Sequence, residues 1–289
     1  TIIACPLAVI AWSGVPVFVD SEPETWNIDV DKIEEKITKK TKAIMPVHIY
    51  GHPCGIDRIM KIARKYNLLV IEDAAEAHGA EYKGKKVGSF GDISCFSFYA
   101  NKIISTGEGG MIVTDNRKYA ERAKTLRNLA HAKGKRFYHK ELARNYRMTN
   151  LQAAVGTAQL RNIKKLIEIK RKNAKKYTEG LKGILSIQLP VEKKFAKNVY
   201  WMYGIVLNES TGFNAETFAK QLTREGIDTR PFFYPLHLQP VFKKLRIKFK
   251  SRYPVAERIA RQGLYLPSGL ALKDWQIEKV CRVTKRLLK

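Results

Sequence analysis

Cysteine is scarce in this chain of 289 residues: Cys5, Cys54, Cys95 and Cys281 stand far apart and form no C-x-x-C pair. That spacing argues against a disulfide framework and against a cysteine-ligated zinc site, and leaves reduced thiols of a cytoplasmic enzyme as the simpler expectation. Long apolar runs are missing as well. Hydrophobic residues make up 45% of the chain, yet none of their runs could span a bilayer, so a large buried core and no membrane partner are expected. Acidic residues are few, 27 against 53 Lys and Arg, which leaves a net charge of +26. A charge of that sign raises nucleic-acid binding. However, the cations are spread through helix-like segments such as KITKKTK, RIMKIARKY and RNIKKLIEIKRKNAKKY, with no interleaved aromatic platform. They read as solvated faces, and no specific nucleic-acid partner is expected. Internal repeats and low-complexity linkers are absent. So is an initiating Met: the chain opens TIIACPLAVIAWSGVPVFVD, and its true N-terminus is expected to lie outside the sequence.

What is present centres on residues 70–116, VIEDAAEAHGAEYKGKKVGSFGDISCFSFYANKIISTGEGGMIVTDN. The apolar run 68–71 delivers Glu72 and Asp73 to its C-terminal end, and a second apolar segment, 93–98, ends just before Lys102. As two buried strands of an α/β sheet they bring an acid and an amine to the edge where such sheets bind ligands. Pyridoxal phosphate chemistry needs that pair: a lysine to carry the cofactor, and a carboxylate to keep its pyridine nitrogen protonated. Lys102 and Asp73 are the candidates. Ser97 can offer a hydroxyl to the cofactor phosphate, and the glycines of Thr106-Gly107-Glu108-Gly109-Gly110 let backbone pass close behind the ring.

The acidic strand end followed by Ser-Phe, a lysine and Thr-Gly-Glu-Gly-Gly resembles the signature of the DegT/DnrJ/EryC1/StrS sugar aminotransferases, and the likeness runs from Thr1 through the C-terminal helix. Within that family VHIYGHPCGID, EDAAEAHGAEYKGKKVGSFGD, NYRMTNLQAA and RPFFYPLHLQPVF are similar to the 4-aminotransferases acting on GDP-4-keto-6-deoxymannose. The resemblance implies a pyridoxal-phosphate-dependent fold type I chain, aspartate aminotransferase-like. Its large domain, residues 1–165, would hold a mostly parallel sheet and lack its N-terminal portion; a smaller α+β domain would occupy residues 166–289. It implies Lys102 as the catalytic residue and cofactor contacts from Asp73, Glu76, Ser97 and Asn145, the last reaching the neighbouring subunit's cofactor in a homodimer with composite sites. It also implies substrate contacts from Arg230, Tyr234 and His237, and L-glutamate and a nucleotide sugar as substrates, with no metal. Alternatives are a UDP- or dTDP-linked keto sugar, or a regulatory protein that binds the cofactor without catalysis. A related dehydratase carries histidine in place of the lysine, and Lys102 argues against it.

Along the chain, residues 15–20 and 43–49 read as strands, and Val30, Ile33 and Ile37 mark a helix. His52, at the end of the second strand, is a ligand contact or a bland loop residue. Ile56, Ile59, Met60 and Ala63 mark another helix, and 82–88 a glycine hairpin. Strand 111–114 and helix 118–129 precede a basic, aromatic loop at 131–146. Helices follow at 151–160 and on to about Tyr177, then a strand at 200–206, a helix at 214–225 ended by Gly226, and a short strand at 227–230. The cluster 231–237 is too rich in proline for a regular helix, and Asp274 caps the last helix.

Overall fold

The computed structural model describes every residue except Lys133, Lys248, Lys250 and Lys289. In chain order its elements are α1 (Ala4–Ala11), β1 (Ala43–Ile44), α2 (Ile56–Lys65), β2 (Leu69–Asp73), β3 (Glu81–Tyr82), β4 (Lys85–Lys86), β5 (Ile93–Ser97), β6 (Gly110–Val113) and α3 (Arg117–Leu126). They continue with β7 (His131–Ala132), β8 (Lys135–His139), α4 (Asn150–Arg161), α5 (Ile163–Leu181), β9 (Ile187–Gln188), β10 (Ala196–Lys197), β11 (Tyr203–Leu207) and α6 (Ala215–Arg224). The last are β12 (Arg230–Pro231), α7 (Pro240–Lys244), α8 (Pro254–Gln262), β13 (Gly263–Leu266) and α9 (Asp274–Leu287).

Two sheets carry the structure. The first has the order β1-β2-β5-β6, with β1, β2 and β5 parallel and β6 antiparallel to β5. Helix α2 covers it with the stripe Ile56, Ile59, Ile62 and Ala63, fully inside because the apolar residues recur at helical spacing. Register sets Asp73 opposite Cys95, so β2 ends beside β5 at one edge, and β5 runs on to Ser97. The second sheet, β12-β13-β11-β9, is antiparallel. All of β11 is buried there, under Phe218 and Leu222 of α6 and Ile277 and Val280 of α9. Helix α5 serves both cores: Ile167 packs into the first, Ala174, Tyr177 and Leu181 into the second.

Several expectations hold. Strands β2, β5 and β6, the β3–β4 hairpin and α2 lie where the pattern put them. Helix α4 starts at the Thr149–Gln152 capping box, and α6 stops before Gly226 at φ 71°.

Others are corrected. Residues 15–20 form no strand: Pro16 withholds a ladder donor, and Val15 and Val17 are exposed. The Val30 stripe builds two 3₁₀ turns, Val30–Lys32 and Glu34–Lys36, since spacing of three suits either helix type. Only Ala43–Ile44 of the 43–49 segment pairs as a strand; Pro46 interrupts it, and Val47 makes an isolated bridge to Asp73. The 131–146 segment is not simply a loop, because β7 and β8 pair as an exposed hairpin with Gly134 at φ 75°. Tyr200, at φ 48°, delays the 200–206 strand to Tyr203, and the 227–230 strand lies instead at Arg230–Pro231. Asp274 is the first residue of α9 rather than its cap: Gln276 Oε1 accepts the Lys273 N–H at 2.8 Å, and Asp274 pairs with Lys176.

Phe218 has no exposed surface, whereas Leu185 is 95% exposed. Phe218→Ala is expected to cost about 3–5 kcal/mol in urea unfolding and Leu185→Ala less than about 0.5 kcal/mol; equal losses would contradict this placement of the second core.

Candidate active site

The edge shared by β2 and β5 gathers the ionisable groups. Strand alternation turns Glu72 inward, where it accepts hydrogen bonds from His48 Nε2, the Gly88, Phe90 and Gly91 N–H groups and Ser94 Oγ. Asp73 is left at the edge. Its Oδ1 accepts the Ala75 N–H at 3.0 Å, and its Oδ2 accepts the Cys5 thiol proton at 2.9 Å. Burial and the Asp73 charge both push the Cys5 thiol up, so it stays a donor.

Past β5 the chain turns tightly. The Lys102 N–H reaches Tyr99 O and the Thr106 N–H reaches Phe98 O, both at 2.9 Å, while Ser97 Oγ accepts the Tyr99 N–H at 3.2 Å. Gly109, at φ 144°, lets this loop close: a Cβ there would stand 2.7 Å from Thr106 Oγ1 and 2.9 Å from Met148 Cε. The turn aims Lys102 inward, its side chain only 11% exposed. Nζ lies 3.9 Å from Glu76 Oε1 and 3.7 Å from the Trp201 ring centroid. Burial lowers the Lys102 pKa, while the Glu76 and Asp73 charges oppose that shift.

Glu76 is buried, and its Oε2 accepts the Tyr50 N–H at 2.7 Å. Burial pushes its carboxyl up to about 7 against the pull of Lys102. His78 packs against Phe96 and Phe98 with centroids 5.4 and 5.9 Å away, and among the described residues neither ring nitrogen has a partner at hydrogen-bond geometry. Burial, then the Lys102 charge, pushes it down to about 4, so the ring is neutral. Tyr50, a member of the first core, closes the site. It sits at φ 52° before Gly51 and stacks with Trp201 and Phe233.

Asp73, Glu76 and Lys102 therefore come together as expected, with Ser97 at the end of β5, where the turn begins. The remaining candidates have other partners. Arg230 pairs across the strands with Tyr265 and meets Asp228 at 3.2 Å; Tyr234 is 58% exposed. His237 Nε2 lies 2.9 Å from Glu257 Oε1, with its ring against Tyr253. Asn145 is exposed and accepts from Arg147 Nε at 2.9 Å. His52 is buried structure, bonded to Pro53 O and to the Lys193 N–H. Sequence reasoning missed Cys5, Tyr50 and Trp201. Their signals were faint: a thiol in an apolar helix, a Tyr-Gly step before a proline, and a Trp inside Tyr200-Trp201-Met202-Tyr203.

The DegT/DnrJ/EryC1/StrS aminotransferase family signature matches residues 1–285. The chain belongs to this family. It is 42% identical over 281 residues to GDP-perosamine synthase of Escherichia coli O157:H7, covering 97% of this chain and 75% of that protein. It is 38% identical to GDP-perosamine synthase of Vibrio cholerae, covering 99% of this chain and 77% of that one. Among solved structures it is similar to S. venezuelae DesV in complex with a ketimine intermediate, with a TM-score of 0.92, 32% identity, and coverage of 100% of this chain and 76% of that one. The protein is thus a sugar aminotransferase of fold type I that depends on pyridoxal phosphate and takes a sugar substrate and an amino donor.

Because the folded-state pKa of Glu76 stands above its ordinary 4.5, its stabilising contribution is complete below pH 4.5 and is lost as pH rises through about 7. Without cofactor, Glu76→Gln is expected to gain about 2 kcal/mol on the unsubstituted protein between pH 5 and pH 8 in denaturant melts. Parallel pH profiles would contradict this.

Proposed function

We propose that this enzyme transfers an amino group from L-glutamate to C4 of a nucleotide-linked 4-keto-6-deoxyhexose, converting GDP-4-keto-6-deoxymannose to GDP-perosamine. The observation that carries the chemistry is the buried Lys102 amine held beside Glu76 and Asp73 at the sheet edge. The choice of sugar rests on the likeness to the GDP-perosamine synthases.

The residues fit pyridoxal phosphate. The set supplies an amine to carry it, a carboxylate for its ring nitrogen, a hydroxyl for its phosphate and, in His78, a buried ring whose nitrogens lack partners at hydrogen-bond geometry among the described residues. When bound, the cofactor supplies the electron sink that stabilises a carbanion next to nitrogen and stores the amino group between the two halves of the reaction. Lys102 holds it, and its burial favours the neutral amine that acts as base. In the first half Lys102 takes the proton from the α-carbon of L-glutamate; in the second it delivers a proton to C4 of the sugar. Asp73 keeps the ring nitrogen protonated by its opposite charge, with the Cys5 thiol fixing the carboxylate. Glu76, beside Lys102, would be available to the cofactor ring, and Ser97 would offer its hydroxyl to the phosphate.

Arg230, Tyr234 and His237 contact the nucleotide sugar. Asn145 reaches the phosphate of a neighbouring subunit in a homodimer. The exposed apolar surfaces of β6 (Met111, Ile112) and α4 (Leu151, Leu160) support such pairing. Residues 1–165 form the large domain in this reading and 166–289 the small one.

Incubation of the protein with pyridoxal phosphate, L-glutamate and GDP-4-keto-6-deoxymannose should release 2-oxoglutarate and form a GDP-linked amino sugar, detected by mass. Lys102→Ala should lower turnover by about a thousandfold or more, and Asp73→Asn by about a hundredfold. Undiminished turnover in Lys102→Ala would overturn the assignment, and product formed only from a dTDP- or UDP-linked keto sugar would move the substrate.

A further inference from the structure

Trp201 lies about a hundred residues from Lys102 in the chain, on the segment leading into β11, and yet meets it directly. Its ring centroid is 3.7 Å from Lys102 Nζ, well inside cation–π range, and the ring is buried at 4% exposure. Two further contacts place the residue, one through its ring and one through its backbone. The indole N–H donates to the carbonyl of Asn101, the residue before Lys102, at 2.8 Å. The carbonyl of Trp201 itself accepts from Lys170 Nζ at 2.6 Å, and that same ammonium also donates to Ser268 O. Among the described residues the partners of the buried Lys170 amine are these two carbonyl oxygens, with no carboxylate, and burial pushes its pKa down to about 7. Tyr50 stacks with the same indole at 6.4 Å, its planes 22° apart.

We infer that Trp201 is a positioning residue for Lys102, an aromatic seat that holds the resting side chain and sets how readily its amine is freed. The inference rests on the reading of Lys102 as the residue that carries the cofactor. The groups facing Lys102 divide into two sets. The Trp201 ring face, Glu76 and Asp73 favour the ammonium, while burial opposes it; His78 packs beside them in neutral form. Only the free amine can attack the cofactor's aldehyde carbon, forming a carbon–nitrogen bond as the aldehyde oxygen leaves as water. The seat therefore raises the pH at which attachment becomes fast. Its edge-on tie to Asn101 keeps the amine aimed along one wall of the site.

The test is the rate of pyridoxal phosphate attachment as a function of pH, followed by visible absorbance, in the unsubstituted protein, Trp201→Leu and Trp201→Phe. Borohydride trapping and peptide mass mapping locate the attachment. Trp201→Leu should lower the midpoint of the rate profile by about one pH unit. Trp201→Phe keeps a ring face but loses the tie to Asn101, and should fall between the two; it decides the matter if the leucine variant does not fold. Attachment at Lys102 with an unmoved midpoint in the folded variants would overturn the role of Trp201 alone. Attachment at another lysine in the unsubstituted protein would overturn the reading of Lys102, and this inference with it.

Discussion

Glu72 carries a carboxylate with no exposed surface, and the site is built outward from the way that charge is held. Burial alone would raise its pKa; the hydrogen bond from His48, with the Gly91 and Gly88 N–H groups, outweighs that and holds it at about 2. His48 Nδ1 accepts the Cys54 N–H, so the ring proton sits on Nε2 and points at Glu72. The clamp ties the end of β2 to the loop that feeds β5. Gly91 has no room for a side chain there, since a Cβ would lie 2.7 Å from Val70 O. With Glu72 fixed, the next residue along the pleat has one direction left, which is why Asp73 stands at the sheet edge. Leaving this buried carboxylate short of one of its donors costs about 1–3 kcal/mol or more, so the geometry of the edge and the stability of the first core depend on the same set of hydrogen bonds.

The parts of the site that were legible in the sequence are those made by local rules. Asp73 and Lys102 each follow a short apolar strand, and strand period plus a tight turn suffices to bring them to one edge. Cys5, Tyr50 and Trp201 were not legible, because each acquires its role through a contact across the chain that no spacing encodes. The strand misreadings have the same origin. Residues 15–20 and 43–49 have strand composition, but a strand is made by its pairing partner, and Pro16 and Pro46 withhold the donors that pairing needs. The aromatic loop after Arg230 shows composition dividing between roles: Phe232 and Phe233 pack on Tyr50, Tyr234 faces solvent, and His237 is bound to Glu257.

The large positive charge reads differently once the side chains are placed. Pairs such as Lys65–Glu34 and Arg122–Glu141 lie on the surface, where ion pairs contribute little. Among the described residues, the buried Lys170 and the largely covered Lys102 are exceptions. Lys102 is balanced by carboxylates and an aromatic face, Lys170 by carbonyl dipoles, and the Trp201 segment joins them.

Helix α5 is a single rod roughly 28 Å long, seated in one core at Ile167 and in the other at Tyr177 and Leu181, with Lys170 between. A rod shared in this way cannot unwind at its centre while either seat remains filled. The two cores therefore melt as partners, and the amides in the middle of α5 belong with the slowest in the chain to exchange with deuterium.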